Sequence, residues 1–315
     1  MARTHDLTLP DLTGRRVVLT GGSDGMGLRM ARRLAAAGAD LVLPVRNAAK
    51  GEAALATIRA EVPAASVRLA TMDLASLDSV AAFAATLLEE GAPVHVLVNN
   101  AGVMTPPERR TTVDGHELQI ATNHLGHVAL VAHLLPLLRE GGGRVTSQTS
   151  IAANRNGVQL DDLDSERGYD PFRAYSSSKI AVGLFALELD RRSRAHGWGI
   201  SSNLAHPGVA PTNLLGARPE IGRGSEGREL RLIRRLSALG IAGTPDSAGL
   251  PALLAATAPD AGGRFYGPRG LGHVGGAPGE QKPYRSLRST DDARRVWELS
   301  ERLAGVRFPA GSLSV

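Results

Sequence analysis

Residues 16–27 read RVVLTGGSDGMG, and residues 28–37 continue as LRMARRLAAA. The Val-Val-Leu run predicts a short strand, the glycines predict a turn, and the alanine- and leucine-rich run predicts a helix. This order is typical of a phosphate-binding βα unit, because glycines let the backbone approach an anion and a helix start offers unpaired N–H groups. An ordinary tight βα turn is the alternative that the pattern alone leaves open.

Six residues of this turn are candidates for contact with a pyrophosphate. They are Gly21, Ser23, Asp24, Gly25, Met26 and Gly27. The positive end of the helix dipole would favour the anion at this point of the chain. We therefore expect a dinucleotide to bind here if the rest of the chain supports the same fold.

The rest of the chain alternates between short apolar strands and helical runs of about 10 to 20 residues. Strand patterns recur at residues 40–45, 66–71, 94–98, 143–148, 199–204 and 263–266. Such alternation predicts βαβ units and a parallel sheet. We predict an α/β fold, namely a Rossmann-type doubly wound sheet of about seven parallel strands with helices on both faces.

The whole chain, residues 1–315, is predicted to form one such nucleotide-binding domain. Residues 1–13 are a polar lead-in, and residues 260–315 are a C-terminal extension that includes a Gly/Pro-rich loop at 267–283. Residues 209–240 are expected to form a substrate lid, because α/β sheets bind ligands at loops beyond the carboxyl ends of their strands. A variable surface insertion is the alternative for this segment.

The composition, with 43% hydrophobic and 21% charged residues, is that of an ordinary soluble globular protein. No run approaches the roughly 18 apolar residues of a transmembrane helix, and residues 1–16 lack the apolar centre of a signal peptide, so we expect no membrane partner. The absence of cysteine excludes disulfides and thiolate catalysis and fits a reducing, cytoplasmic location. The net charge of +5 is dispersed, so we expect no nucleic-acid partner.

The end of the second predicted strand bears on which nicotinamide cofactor would bind. A carboxylate about 20 residues past the glycines would accept hydrogen bonds from a free ribose diol and repel a 2′-phosphate. This chain has Arg46 and Asn47 there, and Asp40 lies at the opposite end of the strand. The planar guanidinium of Arg46 suits a phosphate, so we predict NADP(H); an exposed arginine at a helix start is the alternative.

Tyr175 and Lys179 place a phenol and an ammonium on one face of a predicted helix. A phenol with a pKa of about 10 is a poor acid–base catalyst at neutral pH, and a nearby cation would lower the pKa of Tyr175 toward the working range. The pair is therefore a candidate for general acid–base catalysis, with an ordinary surface pair as the alternative. Ser150 ends the fifth predicted strand and could hold a carbonyl, but the residues alone do not favour it over Thr149.

As a set, these motifs closely resemble those of the short-chain dehydrogenase/reductase family. The matching segments are Thr20-Gly21-x-x-x-Gly25-x-Gly27, Asn99-Asn100-Ala101-Gly102, Asn123, Ser150 and Tyr175-x-x-x-Lys179. Residues 114–119 (DGHELQ), residues 122–127 (TNHLGH) and the Arg46-Asn47-x-x-Lys50 pattern are similar to one branch in particular. That branch holds retinol dehydrogenases, the WW-domain oxidoreductase, protochlorophyllide reductase and bacterial carbonyl reductases. The resemblance is strong over residues 14–210.

The resemblance implies a catalytic tetrad of Asn123, Ser150, Tyr175 and Lys179. Tyr175 would protonate the alkoxide as hydride reaches the carbonyl carbon, and Ser150 would hold the carbonyl oxygen. Lys179 would bond to the nicotinamide ribose and tune Tyr175, while Asn123 would position a proton-relay water. The remaining implied cofactor contacts are Asp73 and Leu74 at the adenine, Asn100, Ala101 and Gly102 along the cofactor, and Pro207, Gly208, Val209 and Thr212 near the nicotinamide carboxamide.

Three positions depart from the pattern usual in this family. Gln148 and Thr149 precede Ser150 where the family usually has an apolar residue and a serine, and Val182 stands near a position where this branch commonly has asparagine. We expect none of these residues to touch the tetrad, so that activity survives the departures.

Three histidines on one predicted helix, His124, His127 and His133, raise the question of a metal site. Neither a His-Glu-x-x-His pattern nor a cysteine or carboxylate cluster accompanies them. Structural or substrate-lining histidines are the better interpretation, and we predict no metal site.

We predict an NADP(H)-dependent carbonyl reductase or alcohol dehydrogenase that exchanges a hydride with a ketone, an aldehyde or a secondary alcohol. Its partner would be that small molecule, and the resemblance adds a helix-packed homodimer as an option. A reductase of enone-type C=C bonds on the same scaffold is one alternative function. A non-catalytic, NADP-sensing protein is another.

Overall fold

The computed structural model describes residues 6–211, 216, 219–223, 228–259 and 262–309. Its strands are β1 (Arg16–Leu19), β2 (Asp40–Val45), β3 (Val67–Thr71), β4 (Val96–Asn99), β5 (Arg144–Gln148), β6 (Ser201–Ala205), β7 (Phe265–Pro268) and β8 (Pro278–Gln281). Its α-helices are α1 (Gly25–Ala36), α2 (Ala48–Glu61), α3 (Leu77–Glu90), α4 (Leu118–Ile120), α5 (Gly126–Glu140), α6 (Pro171–His196), α7 (Arg228–Ala238), α8 (Leu250–Thr257) and α9 (Thr290–Leu303). A π-helical turn at Ala121–Leu125 joins α4 to α5.

The strands form a single sheet in the order β3-β2-β1-β4-β5-β6-β7-β8. All neighbours from β3 to β7 are parallel, so their carboxyl ends lie along one edge. The chain order reverses between β1 and β4, and a crevice opens at such a reversal in doubly wound sheets. The predicted α/β doubly wound fold is therefore confirmed, and it locates the candidate site at the carboxyl edge of β1, β4 and β5.

The strand count differs from the prediction in one respect. The structure adds β8, an eighth strand that pairs antiparallel with β7, inside the segment predicted to be a Gly/Pro-rich loop. The local sequence, Pro278-Gly-Glu-Gln281, has little strand propensity. The segment forms a strand because it returns along the edge of the sheet, where a missing N–H and a missing side chain are tolerated.

Helices cover both faces of the sheet and create two apolar cores. Buried side chains of α3, α5, α6 and α9 form one core, and those of α1, α2 and α8 form the other. The central strands alternate between them: Val18 faces the first core, whereas Val17 and Leu19 face the second. Within the described ranges, every helix is too short or too polar to cross a membrane.

The helical segment that leads into α5 begins at Leu118. Before it, Thr111 and Glu117 form an isolated antiparallel bridge around a turn in which Gly115 has φ +86°. The Glu117 carboxylate then caps α4 by accepting hydrogen bonds from the N–H groups of Gln119 and Ile120, both at 2.9 Å. The turn at Gly115 explains why the helix does not begin earlier, because a residue in the left-handed conformation cannot continue a right-handed helix.

Candidate active site

The glycine turn between β1 and α1 needs its glycines for steric reasons. Gly21 has φ +67°, and a Cβ there would lie 2.9 Å from the Cα of Ala101. A Cβ on Gly27 would lie 1.9 Å from the carbonyl oxygen of Gly21. Asp24 caps α1 by accepting a hydrogen bond from the N–H of Gly25 at 2.7 Å. The helix thus starts at the carboxyl end of β1, where its first N–H groups can meet an anion.

The two remaining turn candidates lie in the same segment. Ser23 is partly buried in the turn itself. Met26 is in the first turn of α1, and its Sδ accepts a hydrogen bond from the side-chain amide of Gln148 at 3.6 Å. Met26 therefore links the glycine turn to the end of β5.

Thr20 joins the glycine turn to the residues that follow β4. Its fully buried hydroxyl oxygen accepts hydrogen bonds from the N–H groups of Asn100 (2.9 Å) and Ala101 (3.0 Å). The side-chain amide of Asn100 donates to the carbonyl oxygen of Thr20 at 2.9 Å. The structure thus brings Asn100, Ala101 and Gly102 beside the turn, and their contact with the cofactor stays a prediction. The role of Thr20 as the centre of this arrangement was not predicted.

The residues at the ends of β2 and β3 lie on the same edge of the sheet. Arg46 directly follows β2 and is exposed. Asn47 caps α2, since its Oδ1 accepts a hydrogen bond from the N–H of Lys50 at 3.0 Å. Asp73 follows β3 and accepts a hydrogen bond from the N–H of Ala75 at 3.0 Å, which holds the turn.

Leu74, the second predicted adenine contact, is buried against the start of α5. A Cβ on Gly126 would lie 2.4 Å from the carbonyl oxygen of Leu74. The close approach of Gly126 to Leu74 therefore connects the predicted adenine region to the turn that carries Asn123.

Asn123 lies in the π-helical turn with both ends of its side-chain amide bonded. Its Oδ1 accepts a hydrogen bond from the N–H of Val103 at 2.8 Å, and its Nδ2 donates to the carbonyl oxygen of Val103 (3.0 Å) and to Oγ of Ser178 (2.9 Å). A Cβ on Gly102 would lie 2.9 Å from Asn123 Oδ1 and 3.4 Å from the Nζ of Lys179. Asn123 therefore joins the segment after β4 to α6 at the level of Lys179.

Tyr175 is buried, and its phenol interacts with the side chain of Ser150. Burial raises the pKa of Tyr175, and the interaction with Ser150 opposes that rise. We expected Lys179 to lower this pKa, but in the protein alone Lys179 does not act on it. The ammonium of Lys179 instead donates to the carbonyl oxygen of Gln148 at 3.0 Å.

Lys179 is almost fully buried, and its burial lowers the pKa of the ammonium to about 8. Removal from water destabilises the charged form, and a single carbonyl contact compensates only in part. The lysine is thus a cation whose charge changes close to neutral pH, within the same cluster as Tyr175 and Ser150.

The expectation that the residues before Ser150 avoid the tetrad is wrong. The main-chain oxygen of Gln148 accepts from Lys179, and the hydroxyl of Thr149 donates to the carbonyl oxygen of Lys179 at 2.7 Å. The hydroxyl of Thr149 is thus bonded to the main chain of α6, and Ser150, rather than Thr149, interacts with the side chain of Tyr175. Val182, by contrast, lies in the apolar core.

The segment after β6 is held by the loop that follows β7. Gly208 has φ +72°, and a Cβ there would lie 2.6 Å from the carbonyl oxygen of Val274. The N–H of Val209 donates to the same oxygen at 2.9 Å. Pro207, Gly208 and Val209 therefore have one defined path beside the site. Thr212 lies outside the described residues.

The described part of the predicted lid contacts the loop after β4. The guanidinium of Arg223 donates to the carbonyl oxygen of Met104 at 3.1 Å and to Oγ1 of Thr105 at 3.3 Å. Arg110 donates to the carbonyl oxygen of Glu220 at 2.8 Å. These contacts place residues 220–223 on the same side as the cluster, and the lid function stays a prediction.

The arrangement fits a nicotinamide dinucleotide. The buried Oδ1 of Asn100 has no hydrogen-bond partner within the described part of the chain, which leaves an acceptor for a hydroxyl donor beside the glycine turn. Gly25, with φ +51°, meets no described atom within 4 Å on its Cβ side. A polar acceptor, open glycine backbone and a helix start are together the features that a dinucleotide requires.

Known proteins are similar to this chain in sequence. Residues 15–220 match the family model described as short chain dehydrogenase. The chain is 35% identical to polyprenol dehydrogenase of Mus musculus, over 94% of this chain and 86% of that protein. It is 36% identical to retinol dehydrogenase 13 of Homo sapiens, over 95% of this chain and 87% of that protein.

Two solved structures extend the comparison. An uncharacterized protein from Mycobacterium paratuberculosis is 34% identical, with a TM-score of 0.78, and the match covers 98% of this chain and 100% of that one. A short chain dehydrogenase from Burkholderia cenocepacia, in complex with NADP, is 26% identical with a TM-score of 0.59, over 78% of this chain and 91% of that one.

Proposed function

The chain belongs to the short-chain dehydrogenase family and binds NAD(P)(H), and on that premise we propose that it is an NADP(H)-dependent carbonyl reductase or alcohol dehydrogenase. The observation that carries the proposal is the buried phenol of Tyr175, which interacts with the side chain of Ser150, together with the buried ammonium of Lys179 four residues further along α6. The substrate is a ketone, an aldehyde or the corresponding alcohol.

Each residue of the cluster has one task in this reaction. The bound dihydronicotinamide supplies the hydride. Ser150 donates a hydrogen bond to the carbonyl oxygen and orients it. Tyr175 donates its proton to that oxygen as negative charge develops there, which is general acid catalysis. With the cofactor bound, Lys179 would hold positive charge near the phenol and favour the phenolate left after proton transfer.

A tyrosine with a raised pKa can still act as the general acid in this reaction. Burial makes Tyr175 a poor donor of protons to water, but the developing alkoxide in the transition state is a much stronger base than water. Asn123 keeps Gly102, Val103 and Ser178 in register around the pair. We assign it a positioning role and, through its main chain, a contact with the relay water.

The preference for NADP(H) over NAD(H) rests on Arg46. Its exposed guanidinium follows β2, where a carboxylate would select a free ribose, and an arginine fork can bond to a 2′-phosphate with two N–H groups. The NADP complex of the Burkholderia cenocepacia relative supports the same cofactor.

The names of the relatives guide the choice of substrates. Polyprenol dehydrogenase and retinol dehydrogenase 13 match almost the whole chain, so retinal, a polyprenal and their alcohols belong in the panel with aryl ketones, simple aldehydes and polycyclic ketones. A cytoplasmic location and a homodimer are further parts of the proposal, to be tested by fractionation and by light scattering.

The first experiment measures the oxidation of NADPH and NADH over this panel, with Tyr175→Phe as the variant and product analysis for each substrate. We expect turnover with NADPH, C–OH products, and a loss of at least about a hundredfold in Tyr175→Phe, because the general acid is gone. Saturated C–C products would favour the enone-type reductase. Tight cofactor binding without turnover on any compound would favour the NADP-sensing protein.

A further inference from the structure

His127 connects the glycine turn to the turn that carries Asn123. It is buried, and its Nδ1 lies 3.0 Å from the main-chain oxygen of Asn123, while its Nε2 lies 3.0 Å from the hydroxyl of Thr20. These contacts span residues that are 107 positions apart in the chain. They join the two parts of the site that bind the cofactor and carry the tetrad.

The hydrogen atoms of this link can be assigned from its partners. A carbonyl oxygen only accepts, so Nδ1 of His127 carries the proton that it donates to Asn123. Burial lowers the pKa of His127 to about 4, so the ring is neutral at physiological pH and Nε2 is an acceptor. Thr20 therefore donates its single proton to His127, since its other acceptor, the oxygen of Val98, is farther away at 3.3 Å.

Both ends of the link lead directly to site residues. At one end, the hydroxyl oxygen of Thr20 accepts from the N–H groups of Asn100 and Ala101. At the other end, Asn123 holds Val103 and Ser178, and Ser178 precedes Lys179. A shift of the imidazole would therefore move the main chain along the cofactor, the tetrad, or both.

The π-helical turn makes such a link necessary. A π turn widens the helix and replaces the regular i to i−4 bonds, so the position of its carbonyl groups depends more on outside contacts. His127 supplies one contact on the cofactor side. His124, also buried in this turn, supplies another on the opposite side, where its Nε2 lies 2.6 Å from Oγ of Ser300 on α9.

We propose that His127 is a positioning residue for the proposed reaction. Its hydrogen bond with Thr20 governs the affinity for the cofactor, and its hydrogen bond with Asn123 governs the rate of turnover. Only the part of this inference that concerns turnover rests on the proposed function. The part that concerns binding of NADPH can be measured without any substrate.

Two substitutions of His127 separate the two ends. An asparagine places an amide nitrogen close to the position of Nδ1, so His127→Asn keeps the bond to Asn123 and loses the one to Thr20. A glutamine reaches the position of Nε2, so His127→Gln keeps the bond to Thr20 and loses the one to Asn123. Each variant removes one buried hydrogen bond, which corresponds to about a tenfold effect.

We expect His127→Asn to raise the KM and the Kd for NADPH about tenfold with little change in kcat. We expect His127→Gln to lower kcat about tenfold, to shift the pH profile of kcat, and to leave the Kd for NADPH within about twofold. In a double-mutant cycle, His127→Asn should add nothing to the KM effect of Thr20→Val, because both remove the same bond.

His124→Asn and His124→Gln are the matched controls, since they alter a buried histidine three residues before His127 whose partner lies on α9. All four variants should lower the melting temperature, but the two His124 variants should not show an effect on KM in one variant and an effect on kcat in the other. The proposal is overturned if both His127 variants change kcat and KM in the same way, or if neither variant changes either constant. It is also overturned if the kinetic losses of the His127 variants are in proportion to their drop in melting temperature, as in the His124 variants.

Failure of the proposed function gives a different pattern from failure of this inference. If the wild type turns over no carbonyl, the Kd for NADPH, measured by fluorescence titration, decides alone. A Kd raised in His127→Asn but not in His127→Gln supports the role of the Thr20 end. An equal Kd in both variants refutes it.

Discussion

Gly102 lies between two side chains of the tetrad, where there is no space for a methyl group. A Cβ at this position would lie 2.9 Å from Oδ1 of Asn123. Asn123 cannot withdraw without breaking its hydrogen bonds to Val103 and Ser178. Overpacking of this kind costs about 1–3 kcal/mol, and here the displaced group belongs to the site.

Gly102→Ala is therefore expected to lower kcat about tenfold or more, because the added methyl group displaces Asn123. Steady-state kinetics with the best substrate of the panel would measure the effect. Gly168→Ala is the matched control, since a Cβ on the exposed Gly168 meets no described atom within 4 Å. Equal kcat values for the two variants would show that the site tolerates the methyl group.

The buried ammonium of Lys179 predicts a pH-dependent stability. Its pKa is lowered from 10.5 to about 8, so between these values the unfolded chain binds the proton that the folded chain has lost. Stability from this group therefore rises as the pH increases from about 8 to 10.5. The full difference is about 3 kcal/mol, the cost of burying the charge below pH 8.

Urea unfolding of the wild type and of Lys179→Met, at several pH values, measures this effect. Methionine keeps the unbranched stem and removes the charge, so the wild type should gain stability relative to the variant across this pH range. The other lysines, and the tyrosines other than Tyr175, are common to both proteins, so their contributions cancel. A difference that stays constant from pH 7 to 10.5 would contradict the lowered pKa.

At the scale of elements, the turn before α4 is tied to two distant segments by His116. Its Nδ1 lies 3.1 Å from the carboxylate of Asp164, and its Nε2 lies 3.0 Å from the carbonyl oxygen of Leu303 at the end of α9. The hydrogen bond to Asp164 raises the pKa of His116. Burial raises the pKa of Asp164, but the contacts with His116, the N–H of Glu117 and the charge of Arg109 together lower it. The side chains of His116 and Asp164 are mostly shielded from water.

His116→Asn is expected to destabilise the protein most in mildly acidic solution, by about 1–3 kcal/mol. The stabilisation from charged His116 is fully present below about pH 6.5 and is lost as the pH rises through the raised pKa; that from Asp164 is lost as the pH falls below its lowered pKa. Urea unfolding at pH 5.5 and pH 8.5 should thus show a smaller gap at the higher pH.

His133 provides a control of opposite sign. Burial lowers the pKa of His133, so its neutral form is favoured in the folded state and the wild type loses stability as the pH falls. The gap between the wild type and His133→Asn should therefore shift in the opposite direction between these pH values. Parallel behaviour of the two variants would contradict the direction assigned to one of the two pKa values.

What could be predicted from the sequence depended on whether the signal was local. The glycine turn, the alternation of strands with helices and the Tyr175–Lys179 spacing are local patterns, so the order of elements and this pair could be derived from them. Ser150 and Asn123 were supplied by the family resemblance. The link from His127 to Thr20 joins residues 107 positions apart, and the π turn has no known local signature. The strand β8 depends on its edge position rather than on its own residues.

At the scale of the whole molecule, the part of the chain beyond the match to the family model supports the site from two sides. The loop after β7 holds Gly208 through Val274. The helix α9 contacts His124 through Ser300 and is anchored by Trp297, whose ring lies 5.0 Å from that of Phe185 on α6. The C-terminal region therefore contributes to the geometry of the π turn even though it supplies no tetrad residue.

The candidate cofactor site lies at the reversal of strand order, so a bound dinucleotide would contact both halves of the sheet and stabilise the whole fold. A ligand at a hundredfold excess over its Kd adds about 2.7 kcal/mol, which is about 5 °C in melting temperature for a chain of this size. We expect NADPH to raise the melting temperature more than an equal concentration of NADH does, because Arg46 can bond to the 2′-phosphate.

Arg46→Asp should abolish or reverse this difference, since a carboxylate repels the phosphate and accepts from a ribose diol. Arg139→Asp is the matched control, because Arg139 is also exposed but lies near the end of α5, at the amino edge of the sheet. Differential scanning fluorimetry of the three proteins with each cofactor would measure the shifts. Loss of the NADPH preference in both variants would mean that overall charge, rather than Arg46, selects the cofactor.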